Sequence, residues 1–264
     1  MKYANTFKKL NNQPVAILPE AHKSIVENAE LMLAGGFDIS ELFDDVLPMY
    51  EEKGNVAVIN INGTIFPTCS KFEKMLGAVS CKEIRGAIKQ AKASNCENVI
   101  FNINSCGGVV QGVEETAKAI QSLNKVKDTY TYCEDTMASA AYWIGAQAKN
   151  IITSESAIVG SIGVYLSILT MEKNLAMNGI EANVIQAGKY KTLGIACKDL
   201  SDEEKQYLQE GVNATYEQFK NAISSRNLSD ETMQGEVYEA KDAEDLNLID
   251  GIQDDLDELI AFLQ

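Results

Sequence analysis

From residue 55 onward, short apolar runs rich in β-branched residues alternate with helical stretches of about ten to fifteen residues, a pattern that only a small set of layered architectures can bury. NVAVINING opens the series at Asn55, with the composition of a strand and a glycine where the chain must turn. Ser80 then begins SCKEIRGAIKQAKAS with Glu83 three positions on, the spacing at which two side chains cap a helix start. The run NVIFNIN at 98–104 predicts a second strand, Gly107-Gly108 a turn, and Gln111 to Leu123 a helix. DTYTYCE at 128–134 predicts a third strand, followed by the small-residue helix MASAAYWIGAQAK. Apolar pieces at 150–153 and 157–165 precede a helix near 171–178, a strand ANVIQA, and a long polar helix from Ser201 to Ser225. The chain closes with a strand VYE, a helix AKDAEDLN, the turn IDGI and a last helix to Phe262. Strands and helices in this order predict an α/β fold with mostly parallel pairing, right-handed crossovers and helices flanking the sheet.

The first fifty residues break the pattern. They are polar and Asn-rich, then helical in period from Glu20 to Ala34, then acidic after Gly35-Gly36. The expected organisation is an N-terminal arm over 1–52 and a main domain over 53–264. Charge narrows the partners: 23 Lys and Arg against 38 Asp and Glu give a net charge of −15, which phosphate backbones and anionic lipids repel. Nucleic acid and membrane surfaces are therefore not expected partners. No apolar run reaches the roughly 18 residues of a membrane span, and the N-terminus lacks the apolar core of a secretion signal. The six cysteines show no metal or redox spacing, so reduced thiols in a cytoplasm, with no metal and no cofactor, are expected.

Three segments carry chemistry. In INSCGG at 103–108, two glycines follow a strand end, where unscreened amide donors suit a developing oxyanion and where a simple turn would look the same. In ASAAYW at 138–143, a serine stands among small side chains at the start of a helix; the arrangement suits an exposed nucleophile or plain close packing. A serine needs a base. His22, the sole histidine, lies in the arm before the main domain begins. Lysine is the alternative, since burial can bring a lysine pKa down from about 10.4 toward neutrality. AGKYKTLG at 187–194 offers two, Lys189 and Lys191, after an apolar run.

Taken in order, NSCGG, ASAAYW, GSIGVY and GKYK resemble the signal peptide peptidase A family of serine endopeptidases, related in fold to ClpP and the crotonases. The similarity extends over about residues 55–252, including VYEAKDAEDLNLIDGI. The resemblance implies a ClpP/crotonase-like α/β fold, Ser139 as nucleophile, and Lys191 after Tyr190 as general base, with Lys189 the control. It implies an oxyanion hole from the backbone of Gly107, Gly108 and Ala140, and Ser161 of GSIG as support for the lysine. Cys106 stands where the family has proline, Ala140-Ala141 where it has glycines, and the membrane anchor of many members is not seen. The arm segment QPVAILPEAHKSIVENA resembles the prohead proteases of tailed phages. That subfamily implies processing of scaffold or capsid proteins in head assembly, in a host cytoplasm or prohead interior, by a homo-oligomer acting on protein or peptide substrates. Rival expectations are a bacterial peptidase degrading signal peptides, a crotonase-like acyl-CoA enzyme, and a non-catalytic assembly protein of the same fold.

Overall fold

The computed structural model describes residues 13–24, 47–75 and 77–264. Its strands are β1 (Val15–Ile17), β2 (Tyr50–Lys53), β3 (Val56–Asn62), β4 (Thr64–Phe66), β5 (Ala78–Ser80), β6 (Asn98–Asn104), β7 (Gly107–Val109), β8 (Asp128–Cys133), β9 (Thr136–Ala138), β10 (Asn150–Thr153), β11 (Ile158–Gly160), β12 (Val237–Glu239) and β13 (Gly251–Ile252). The helices are α1 (Lys71–Met75), α2 (Cys81–Ala93), α3 (Val113–Leu123), α4 (Ala140–Gly145), α5 (Glu172–Met177), α6 (Asp202–Ala222), α7 (Ala240–Asp245) and α8 (Leu256–Leu263). Residues 19–24 are also helical; the remainder of the helix expected to Ala34 lies outside the described residues. β2 crosses the expected boundary between arm and domain.

A sheet ordered β13-β10-β8-β6-β3-β2 forms the centre, parallel throughout except for the β2–β3 pair. Its strands read as near-continuous apolar runs because both faces are covered. Alternation decides which cover each residue meets. Ala57, Ile59 and Ile61 of β3 and Val99, Phe101 and Ile103 of β6 join the main core with α2 and α3. Val56, Val58 and Ile100 point the other way, against Tyr132, Leu259 and Ile260, so α8 closes the second face. The mostly parallel α/β architecture with flanking helices is as the sequence predicts.

Ser80 caps α2 by accepting from the Glu83 amide at 3.2 Å, while the Glu83 carboxylate accepts from the Ser80 hydroxyl rather than the Ser80 amide. Two elements differ from expectation. Met137 and Ala138, expected to begin a helix, instead lie in β9, because Met137 bridges Ser105 and Ala138 pairs with Gly160 in parallel strands. The segment ANVIQA forms no strand: Ile185 is 98% exposed, and among the described residues no strand lies beside it to satisfy its backbone.

Two smaller sheets carry the site. One is ordered β1-β7-β4-β5 and the other β12-β11-β9. The Ser105–Met137 bridge joins the end of β6 to β9, and so sets the glycine turn beside the residue after β9.

Candidate active site

Ser139 follows β9 and precedes α4 with φ 58° and ψ −120°. A non-glycine residue seldom adopts positive φ, and holding it there costs about 1–3 kcal/mol that surrounding structure must offset. The offset is visible on both sides. The Ser139 amide donates to Gly160 O at 2.8 Å, and its carbonyl accepts from the Trp143 amide at 2.9 Å. Behind it, Trp143 stacks on Phe219 with ring centroids 4.7 Å apart, and the Tyr142 hydroxyl donates to Leu248 O at 2.9 Å. Ser139 is 1% exposed, and its Oγ takes no hydrogen bond among the described residues. The sharp turn sets the side chain off the strand while the backbone is fixed.

Ser161 is its neighbour. Ala138 and Gly160 are register partners, so Ser139 and Ser161 leave adjacent parallel strands side by side. Ser161 also has positive φ, at 51°, and its amide donates to Glu236 O. Gly160 between them cannot carry a side chain easily: its φ is 115°, and an added Cβ would lie 2.9 Å from Glu236 O.

The glycine turn completes this side. Gly107 has φ 97°, and a Cβ there would lie 3.0 Å from the Ala140 amide nitrogen and 3.0 Å from Ala138 O. Gly107, Gly108 and Ala140 are thus brought to the same place as Ser139. The Gly107 amide itself is engaged, donating to Ser105 Oγ at 3.2 Å, while Ser105 Oγ donates to Gly63 O at 2.6 Å. Ser105 is a residue that sequence reasoning passed over, although it stands within the INSCGG motif. Buried at 2% exposure, it pins the turn from beneath. Asp135 steadies the same edge by accepting from Asn104 Nδ2 at 2.7 Å.

Lys191 is placed differently. It lies in a turn whose amide donates to Gly188 O at 3.1 Å; its side chain is exposed, and it forms no ion pair or hydrogen bond with Ser139 among the described residues. Lys189 is paired with Glu203 and sits over the Tyr190 ring, and the Glu203 carboxylate pushes its pKa upward, away from what a base requires. Within one chain, the structure brings Ser139, Ser161, Ala140 and the two glycines together and leaves Lys191 apart. A cleft of about 420 Å³ opens beside Tyr165 between residues 164–168 and α6, but neither Ser139 nor Lys191 lines it.

Cys106, in the position of the family's proline, has its thiol pKa pushed up by burial, and its carbonyl accepts from the Leu18 amide at 3.0 Å. None of the six cysteines is in a disulfide. Among the described residues, no group of His, Cys, Asp or Glu side chains is placed to hold a metal ion, and no helix is long and apolar enough to cross a membrane.

A strained, buried serine beside convergent backbone amides suits acyl transfer, and comparison with known proteins gives the class. The profile of peptidase family S49, a family of serine-type peptidases, matches residues 121–263, and the chain belongs to that family. Capsid assembly protease C of Escherichia phage lambda is 24% identical over 213 residues, covering 79% of this chain and 48% of that protein. A candidate protease of Methanocaldococcus jannaschii is 33% identical over 173 residues, 64% of this chain and 56% of that protein. The head-tail preconnector protein GP5 of Enterobacteria phage P21 is 26% identical over 177 residues, 67% of this chain and 35% of that protein. The chain thus spans about half or less of the length of each of these relatives. Among solved structures, a ClpP1 variant from Listeria monocytogenes aligns with TM-score 0.48 at 14% identity, covering 76% of this chain and 94% of that one. An enoyl-CoA hydratase from Shewanella pealeana aligns at 0.46 and 16%, covering 86% and 77%. Scores below 0.5 add no argument to the topology described above.

Proposed function

We propose that this chain is a serine endopeptidase working through a Ser139–Lys191 dyad. The observation that carries the reading is Ser139: buried, at φ 58° between a strand and a helix, beside Gly107 and the Ala140 amide. Nothing in simple packing requires a serine in that conformation. The uncharged Lys191 amine takes the Ser139 proton as Oγ attacks a peptide carbonyl; the oxygen, now negative, is met by backbone amides of Gly108 and Ala140. The tetrahedral adduct collapses with the same proton passing to the leaving amine, and Lys191 then activates the water that frees the acyl group. Ser161 holds the lysine in the correct orientation.

The dyad needs Lys191 to approach Ser139. Its segment carries Leu169, Met171, Met177, Ile180 and Ile185 at half exposure or more, apolar surface that the described residues leave uncovered. A homo-oligomer that packs this segment, with the lysine drawn into contact with the serine, is consistent with both facts. The lambda relative named as a capsid assembly protease supports scaffold or capsid proteins as the substrate class.

The test is covalent labelling by a fluorophosphonate together with hydrolysis of a denatured protein substrate. Ser139→Ala and Lys191→Ala are expected to lose both, and Lys189→Ala to keep both. Labelling that survives Ser139→Ala would overturn the assignment, as would full activity in Lys191→Ala.

A further inference from the structure

The slot in front of the glycine turn is already occupied by the chain itself. β1 runs antiparallel to β7, with Val15 opposite Val109, Ala16 opposite Gly108 and Ile17 opposite Gly107. Its other edge is bound too: Val15 and Tyr165 form an antiparallel bridge, with amide-to-carbonyl bonds of 2.9 and 3.0 Å in the two directions. The backbone of 14–18 therefore alternates between partners. Leu18 donates to Cys106 O at 3.0 Å and Pro14 O receives the Val110 amide at 3.5 Å, while Val15 faces Tyr165.

This places one particular carbonyl. A Cβ built on Gly107 would lie 2.3 Å from Ala16 O and 3.0 Å from the Ala140 amide nitrogen, so the Ala16 oxygen and the proposed oxyanion donor converge on one point. Pro14–Leu18 is thus an extended segment that pairs with β7 and sets the Ala16 oxygen beside the proposed donor. Val15, Ala16 and Ile17 are at most 2% exposed, and Val15 and Ile17 pack with Phe66 and Val109. The far end is clasped where His22 Nδ1 meets the Tyr165 hydroxyl at 2.6 Å.

We infer that Pro14–Leu18 is a built-in pseudo-substrate, bound in the register of a peptide to be cleaved, and that it must leave the slot before a client can enter. The inference rests on the peptidase reading of the site and adds its regulation. β1 belongs to the smaller β1-β7-β4-β5 sheet, so its pairing can open while the ladders of the central sheet stay closed.

The test uses the full chain with Ala16→Glu, which forces a carboxylate into a site with no exposure, and Val15→Pro, which removes the amide bonded to Tyr165. Amide exchange at Val110 and Tyr165 reports release, and exchange across β6 reports the fold. Released variants are expected to label with fluorophosphonate at least tenfold faster than the native chain, and a synthetic peptide spanning residues 13–20 is expected to slow them again where a scrambled one does not. If either variant shows release with β6 protected and labels Ser139 no faster than the native chain, the inference falls while the peptidase reading stands. If neither the native chain nor a released variant labels at all, the peptidase reading falls and the inference with it. Should Ala16→Glu lose β6 protection, Val15→Pro decides alone.

Discussion

The Ser139 region and the Lys191 region are built in opposite ways. Around Ser139, backbone bonds to Gly160 and Trp143, a buried aromatic stack and the Ser105 pin hold the main chain in place. From Leu169 to Ile185, side chains stand open to solvent, and the candidate base sits in an exposed turn. One half of the proposed dyad is preorganised by the fold of a single chain, and the other half is not. Preorganisation is expensive to maintain because it stores strain, so it is concentrated where charge develops. The base needs only to arrive, and its arrival is where control can be applied.

The contrast can be broken most directly at its two poles. Ser139→Ala is expected to reduce hydrolysis roughly a thousandfold or more, and Lys191→Ala nearly as much, because members of one catalytic unit fail together; the double variant, assayed by single-turnover kinetics, should then be little worse than either alone. Additive losses would separate the two regions functionally. Gly107→Ala comes next. Its added methyl meets Ala16 O at 2.3 Å and must hold φ 97°, so urea unfolding should register a loss of about 1–3 kcal/mol along with loss of labelling. Ser105→Ala deprives Gly63 O of its donor and Gly107 N of its acceptor, about 1–2 kcal/mol, and should lower kcat more than it raises KM.

The smallest effect is one of pH. Burial lowers the His22 pKa from its ordinary value of 6.5, so between that value and the lowered one the unfolded chain binds more protons than the folded chain. Stability therefore falls as pH falls through 6.5 and levels off below the folded value. Tyr165, the partner of His22, has its pKa raised to about 12, by burial first and by Glu20 second, so the hydroxyl stays protonated across this range. Amide exchange at Val15 and Tyr165 should quicken on acidification, and His22→Asn should flatten the response.

Legibility in the sequence followed from how local the determinants are. NVIFNIN reads as a strand over 98–104 and is β6 over the same residues, because a run buried on both faces carries its own signature. Thr136–Ala138 does not: three residues with no alternation become a strand only because β11 and Ser105 lie alongside. ANVIQA carries the opposite lesson, with the composition of a strand and no neighbour to pair with among the described residues. At the site, Ser139, Ser161 and the glycines were legible as motifs, and the structure gathers them. Ser105 was hidden within its motif since nothing in the letters distinguishes a pinning hydroxyl from a surface one. The placement of β1 was invisible, as pairing between residues 15–17 and 107–109 is a long-range fact with no periodic trace.

The single tryptophan of the chain is Trp143, four residues after Ser139, buried and stacked on Phe219 of α6. Its indole nitrogen has no acceptor among the described residues. The molecule thus carries one indole fluorophore, in a dry setting a single helical turn from Ser139. Emission from that ring offers a label-free optical record of acylation, client entry or subunit docking, uncontaminated by any second emitter of its kind.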